Sequence, residues 1–398
     1  MPKYDISKLL HSRSQGDRFI NKLTVDEGKS KEMRAARTKV RSKLKSAFTQ
    51  AKSNSLYLSR LDQDLQAAFK NVGPRFWPQG SFAYGTQNIP AQTPPQQLDI
   101  DDGTYLPIEL FEDKPVVLKE IFFDIVDTAL RELARDEGWE FKEKNTCARL
   151  ILDPITHLDV PLYVIPVERF EKLQKAVAST ILDESIQTTE DDINYRRLLA
   201  EKEVYLALRD NTHWRKSDPI RIQAWYENEQ EMWGYRLNRI CRYLKAWRDF
   251  QWKDGGPSSI ALMVCVTQVF NESKDELYSD SIALLNVCER LPELLKEVRN
   301  PVATDEIIFP RGISTEEHET IIETAKTLSS EVCNALQSGA DPTTVVNTLI
   351  TQWGDRIPYR PDWIETASAV AAAIVSETPA IKQPKPHVET MRSGYRSG

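Results

Sequence analysis

The sequence predicts an α+β protein with a sheet-bearing half followed by a helical half, and three observations carry the prediction. Leu98-Asp99-Ile100-Asp101 alternates apolar and acidic side chains as a half-buried strand does, and Leu158-Asp159-Val160 repeats the alternation further along. Between these two stretches, Val117, Leu118, Ile121, Phe122, Ile125, Leu130 and Leu133 recur at helical spacing over residues 116–136. From Phe170 onward the apolar pattern is helical almost throughout.

The acidic strand positions are the chemical centre of the chain. Residues two apart on a strand share a face, so Asp99 and Asp101 point together and Leu98 and Ile100 point away. Two carboxylates so placed suit magnesium, which takes a few carboxylates and substrate phosphate oxygens. Asp159, set between Leu158 and Val160 in the run His157 to Ile165, supplies a third from a neighbouring strand. Ahead of them Gln79-Gly80-Ser81 reads as a small flexible turn. An Asp-x-Asp alone is an ordinary solvated strand end. The upstream Gly-Ser and the third Asp in an apolar strand make the set that of a nucleotidyltransferase active site.

Composition bounds the alternatives. The chain has 398 residues, 40% hydrophobic and 28% charged, with net charge −7, which suits a soluble globular protein of more than one domain and argues against a long nucleic acid as main partner. Its five cysteines show no paired spacing, so buried reduced thiols are expected rather than zinc. Five scattered histidines form no metal box. No apolar run is long enough to span a membrane and Met1-Pro2-Lys3-Tyr4-Asp5 does not read as a signal peptide, so a reducing cytoplasm is expected.

In chain order, residues from about 30 to 67 read as helical, with Arg34, Arg37 and Arg41 on one stripe that is either a solvated face or faces an anion. Asn71-Val72-Gly73-Pro74 breaks this helix. Residues 139–141 and 146–152 read as strands leading to Asp159. Further helices are expected over 220–233, 236–252, 260–270, 279–295, 315–339 and 342–353. The divisions expected are an N-terminal helical segment (1–54) packing across both lobes, a catalytic lobe (55–170), a helical lobe (171–377) and a flexible polar tail (378–398).

The run Arg75-Phe76-Trp77-Pro78-Gln79-Gly80-Ser81-Phe82-Ala83-Tyr84-Gly85-Thr86, followed by Asp99-Ile100-Asp101-Asp102-Gly103-Thr104-Tyr105, resembles the bacterial cGAS/DncV-like nucleotidyltransferases, in particular the DncV branch of cyclic GMP-AMP synthases. Glu143 to Cys147, Lys245 to Asp249 and Gly255 to Ser259 extend the likeness, and the Asn88–Gln97 insertion is itself similar to that branch. The resemblance implies a polymerase-β-like lobe joined to a helical lobe, with ATP and GTP in the cleft and two Mg2+ on Asp99, Asp101 and Asp159. It implies donor-phosphate contacts from Gly80 and Ser81, triphosphate contacts from Lys245 and Ser259, and base-side positions for Tyr84 and Arg149. It also points to base selection by Gln79, Ser217, Asp218 and Asp305. Without it, Ser259, Ser217 and Asp218 read as helix caps, Lys245 as a surface lysine, Tyr84 as core and Asp305 as a loop residue.

The same resemblance implies 3′,3′-cyclic GMP-AMP as product, a role in anti-phage signalling through a cyclic-dinucleotide-activated effector, and a pocket for a folate-like inhibitor. That pocket would use Arg37, Arg41, Arg75, Phe76 and Trp77. It further implies a ubiquitin-like ligation enzyme joining the C-terminal Gly398 to a target, with a plain disordered end as the alternative. Two rival readings stay open: a template-independent RNA nucleotidyltransferase using the same carboxylates, and an idle scaffold that presents its tail.

Overall fold

In a computed structural model of the chain, the residues described are 2–11, 16–107, 115–167, 170–171, 204–210, 214–273, 277, 279–338 and 341–366. The expected tail, with Gly398, lies outside them.

The sheet-bearing half opens on helix α1 (Glu27–Ala51), capped by Asp26, whose carboxylate accepts from the Lys29 amide. The helix expected over 30–67 is in fact broken. Asn54 Oδ1 accepts from the Leu56 amide and Asp62 Oδ1 from the Leu65 amide, so each starts a new short helix, Ser55–Leu58 and Gln63–Asn71. Local side-chain acceptors outcompeted a helix whose composition favoured continuation.

Strand β1 (Arg75–Gln79) then leads without a loop into the five-residue helix α2 (Gly80–Tyr84), where a turn was expected. Strand β2 (Leu98–Pro107) follows, then α3 (Pro115–Glu137) and strands β3 (Glu140–Glu143), β4 (Ala148–Asp153), β5 (Thr156–Val160) and β6 (Leu162–Ile165). Two short strands, β7 (Tyr205–Leu206) and β8 (Arg215–Lys216), complete a mixed sheet ordered β3-β4-β5-β2-β6-β7-β8, with β1 also paired to β2. Strand β2 is the hub: it runs parallel to β5 and β6 and antiparallel to β1. Helices α1 and α3 cover the sheet's other face, where Leu98, Ile100, Leu158 and Val160 join Val40, Leu44, Phe48 and Phe122 in one core.

The helical half consists of α4 (Pro219–Trp233), α5 (Tyr235–Gln251), α6 (Ser259–Ser273), α7 (Asp280–Leu294), α8 (Thr315–Gln337) and α9 (Pro342–Trp353). Its core is built on Trp247, Tyr243, Trp353 and Phe270, all buried. The hairpin β9 (Val298–Asn300) and β10 (Ala303–Phe309) was not legible in the sequence, because its strands are short, irregularly registered and without apolar–polar alternation. The N-terminal segment belongs to both halves: Ile6, Leu9, Phe19 and Leu23 sit in the helical core, and Met33, Val40 and Leu44 in the other.

The Asn88–Gln97 insertion clamps the halves together. Asn88 Nδ2 donates to the Arg242 carbonyl (2.8 Å), Gln92 Nε2 to that of Phe250 (2.8 Å), and Gln96 Nε2 to those of Asp249 and Trp252 (2.7 Å each). The amides of Gln92 and Gln96 thereby satisfy the Asp249 and Phe250 carbonyls in the last turn of α5, which have no intrahelical partners, and the Trp252 carbonyl just beyond it.

Candidate active site

Parallel pairing of β2 and β5 sets Asp99 level with His157 and Asp101 level with Asp159, so four polar side chains form a two-by-two grid on the face opposite the core. Ligand atoms of Asp99, His157 and Asp159 all lie within 4.8 Å of one another. Asp99 is the most open of the group, its side chain 40% exposed, whereas Asp159 is at 11%. Burial, together with the charges of Asp99 and Asp159, pushes the Asp101 carboxyl well above the ordinary carboxylate range. The carboxylates gathered here suit a divalent cation, which would relieve this repulsion.

Gly80 approaches this cluster as only glycine can. Its φ is +66°, and a Cβ there would stand 2.1 Å from Asp101 Oδ2. The chain therefore brings the start of α2, with Ser81, directly against the carboxylates.

Across the cleft, α5 presents Lys245, which is buried and donates from Nζ to the Thr86 carbonyl at 2.7 Å. Burial, then the nearby Arg248 guanidinium, lowers its pKa to about 8. Arg248 Nε bonds Asp249 Oδ1 (2.7 Å), and its terminal nitrogen reaches Ser259 Oγ (3.4 Å). Ser259 is not the cap of α6; Ser258 Oγ accepts the Ala261 amide and does that work. Asp218 does cap α4, accepting the Arg221 amide at 3.1 Å, while it and Ser217 still line the cleft. Tyr84 is half-buried, its ring 5.8 Å from that of Tyr226, with burial raising the phenol pKa.

One cavity of about 780 Å3 collects Gly80, Ser81, Tyr84, Asp99, Asp101, Arg149, Ser217, Asp218, Lys245 and Ser259 along its walls. That volume falls within the roughly 300–1,000 Å3 of small-molecule sites. Sequence reasoning missed several residues that also line it: His157, Arg215, Lys216, Arg248, Asn300, Glu306 and Arg311. Arg248 lay within the Lys245–Asp249 run, whereas the hairpin residues carried no signal of their own.

Several residues are placed otherwise than expected. Arg149, expected beside the bases, stands across from Asp159 on β4 and grips both of its carboxylate oxygens at 2.7 Å. Gln79, expected to select a base, is buried behind the cavity, donating to the Tyr105 hydroxyl (2.6 Å) and accepting from that of Tyr163 (3.2 Å). Asp305 is exposed on β10, and its neighbour Glu306 faces the cavity instead.

The five residues expected to form an inhibitor pocket do not share a face. Strand alternation sends Phe76 into the catalytic core and Trp77 into a separate cluster with Tyr105 and Tyr163. The Trp77 indole donates to Gln223 Oε1 at 2.9 Å. Arg41 is held by both oxygens of buried Asp102, and Arg75 lies over the Phe170 ring. Arg37 is half-buried over Phe82 and lines a second cavity of about 590 Å3 with Glu227, Glu231 and Tyr235. Trp77→Ala is accordingly expected to cost about 3–5 kcal/mol of stability, read as a lowered midpoint in urea unfolding, so it is a poor probe of inhibitor binding.

Residues 74–163 match the family described as cyclic GMP-AMP synthase DncV-like, nucleotidyltransferase domain, and residues 234–365 match the cyclic GMP-AMP synthase C-terminal domain. A cyclic GMP-AMP synthase of Escherichia coli (strain TW11681) is 33% identical over 427 aligned residues, spanning 95% of this chain and 97% of the relative. The chain belongs to the DncV-like cyclic GMP-AMP synthase family. A synthase of Vibrio cholerae is 32% identical over 84% of this chain and 79% of its own. Two solved structures of Vibrio cholerae DncV cover 92% of this chain and all of theirs. One, in complex with the linear intermediate 5′ pppA(3′,5′)pG, has a TM-score of 0.76 at 26% identity. The other, in complex with GTP and 5MTHFGLU2, has a TM-score of 0.77 at 27% identity. The protein is thus a nucleotidyltransferase with the DncV-like fold, and its mixed sheet and helical half are those of the family. Among the described residues no helix is long and apolar enough to cross a membrane.

Proposed function

We propose that the protein joins ATP and GTP into 3′,3′-cyclic GMP-AMP by two successive nucleotidyl transfers, assisted by two Mg2+ ions. The observation that carries the reading is the acidic grid of β2 and β5 facing Gly80 and Ser81 within a cavity whose other wall holds Lys245, Arg248 and Ser259. The family's named product and its complexes with a linear pppA-pG intermediate and with GTP support it.

Asp99, Asp101 and Asp159 would hold the metal ions. Bound there, the ions would lower the pKa of the attacking 3′-hydroxyl and offset charge on the α-phosphate and departing pyrophosphate. Lys245, Ser81 and Ser259 hold the triphosphate, and Arg215, Lys216 and Arg311 add positive charge to the same cavity. Asp159 accepts the hydroxyl proton. Arg149 fixes the orientation of that carboxylate, and its contact with a base requires it to loosen its two-point grip. Holding two nucleotides in line supplies much of the remaining acceleration. The linear dinucleotide then turns in the cleft for the second, ring-closing step.

Lys245 gives the reading a pH signature. In the free enzyme it loses its charge as pH rises through about 8, so kcat/KM should fall on an alkaline limb near that pH. Lys245→Gln should lower kcat/KM by roughly 100-fold and abolish the limb. The stability sign is opposite. Its folded pKa lies below its unfolded one, so the unfolded chain binds more protons between about 8 and 10.5, and stability rises with pH across that window.

The wider role we propose is second-messenger signalling in anti-phage defence in the cytoplasm, through an effector that the product activates. A folate-like ligand, supported by the 5MTHFGLU2 complex, would regulate synthesis, and a ubiquitin-like ligation enzyme would conjugate the chain through Gly398. Mass spectrometry after co-expression with such an enzyme tests the conjugation; a Gly398 carboxylate always free rejects it.

The deciding experiment incubates the protein with magnesium and each NTP, alone and in pairs, and identifies products by mass spectrometry against linkage standards. Cyclic GMP-AMP that forms only from ATP plus GTP, and is lost in Asp99→Asn/Asp101→Asn, supports the proposal. Another cyclic product moves the base preference, linear chains favour RNA-type transfer, and no product under any condition points to an enzyme awaiting its activator or to the scaffold reading.

A further inference from the structure

His157 has no part in the chemistry described so far, yet it is the fourth corner of the acidic grid. It is 93% buried, being 7% exposed, and sits on β5 two residues before Asp159 and level with Asp99 on β2. Its Nε2 stands 3.0 Å from Asp99 Oδ1. Both are buried atoms with no hydrogen-bond partner among the described residues. A nitrogen and an oxygen this close either share a proton or together face a third group, so something must join them.

The surrounding hydrogen bonds say what that is. Gln97 Nε2 donates to the Pro154 carbonyl at 3.0 Å, which turns Gln97 Oε1 toward the imidazole, 3.1 Å from Nδ1. An amide oxygen accepts only, so Nδ1 carries the proton and donates. In the neutral ring the Nε2 lone pair then faces the cavity, toward the carboxylate oxygens of Asp99 and Asp159. Fixing a histidine's tautomer by an outer hydrogen bond so that its other nitrogen is free to ligate is the usual second layer of a metal site.

We propose that His157 Nε2 is a metal ligand, joining Asp99 and Asp159 in a mixed nitrogen–oxygen site, with Gln97 as the residue that orients it. The inference rests on the reading of the grid as a divalent-ion site. Its consequence is selectivity. All-oxygen sites favour magnesium, whereas an imidazole adds affinity for manganese, cobalt and other first-row ions. The site should therefore bind Mn2+ more tightly than a set of carboxylates alone and lose that preference with the imidazole. The sequence concealed this because His157 and Asp99 are far apart along the chain and meet only through strand register.

The test loads the full chain, labelled with 15N-histidine, with Mn2+ alone and records pulsed EPR. The expected result is a 15N coupling to the bound Mn2+. It should disappear in His157→Asn and persist in a chain whose other four histidines (His11, His213, His318 and His387) are replaced. This second chain leaves the site intact and assigns the signal even if His157→Asn fails to fold. Gln97→Ala should weaken Mn2+ binding by about tenfold, with a smaller change for Mg2+. Bound Mn2+ without nitrogen coupling, or a coupling absent from the sole-His157 chain, overturns the inference and leaves the carboxylate site standing. Failure to bind Mn2+ at all overturns both.

Discussion

Asp101→Asn yields a folded protein with no measurable cyclic dinucleotide synthesis, a loss of at least ~1,000-fold in kcat, and with stability equal to or above that of the parent. The two halves of this result have one cause. Burial and the charges of Asp99 and Asp159 raise the Asp101 pKa in the folded state. Sign matters here: a carboxyl whose folded pKa exceeds its unfolded value contributes stability that is complete at low pH and is lost as pH rises through the folded pKa. Above that point the folded chain carries an ionised carboxylate that its surroundings resist. The amide is neutral at every pH and of similar shape, so it removes the penalty together with the ligand. Steady-state synthesis and thermal unfolding, both followed from pH 5 to 8, check the prediction. A marked drop in unfolding temperature at neutral pH would show that the Asp101 charge is satisfied in the metal-free fold, contrary to this account.

Gly80→Ala is the second large effect, and it separates positioning from ligation because it removes no functional group. The alanine must adopt φ near +66°, which costs about 1–2 kcal/mol for a residue with a Cβ. Its methyl would also stand 2.1 Å from Asp101 Oδ2, so either the carboxylate or the start of α2 must shift. Displacing a reacting constellation by about 1 Å costs roughly 100-fold. The expected outcome is a 100-fold or greater loss of kcat with a modest fall in stability. Activity near the parental level would mean that the α2 start moves freely and that Gly80 does not hold the carboxylates in place.

Much of this enzyme was legible in the sequence because its signals are local. Alternation in Leu98–Asp101 and Leu158–Val160 reports which face of a strand meets a core, and those faces are as expected. The long helices α3, α5, α6 and α9 follow their apolar periodicity to within a few residues. The break in the 30–67 helix was also local in cause, but Asn54 and Asp62 gave weak warning within a helix-favouring composition.

What only the tertiary structure decided depends on register and on the competition between partners. Strand pairing set His157 beside Asp99 and Arg149 beside Asp159, relations that no spacing along one strand can express. The same pairing drew Gln79 into a buried tyrosine network and left Trp77 bonded to Gln223 in a helix of the other lobe. The sequence by itself determined that three aspartates, a Gly-Ser approach and a helical lobe belong together as a nucleotidyltransferase. The fold determined which side chains face the cleft, because a buried polar group takes the nearest partner the packing offers, and that partner is chosen in three dimensions.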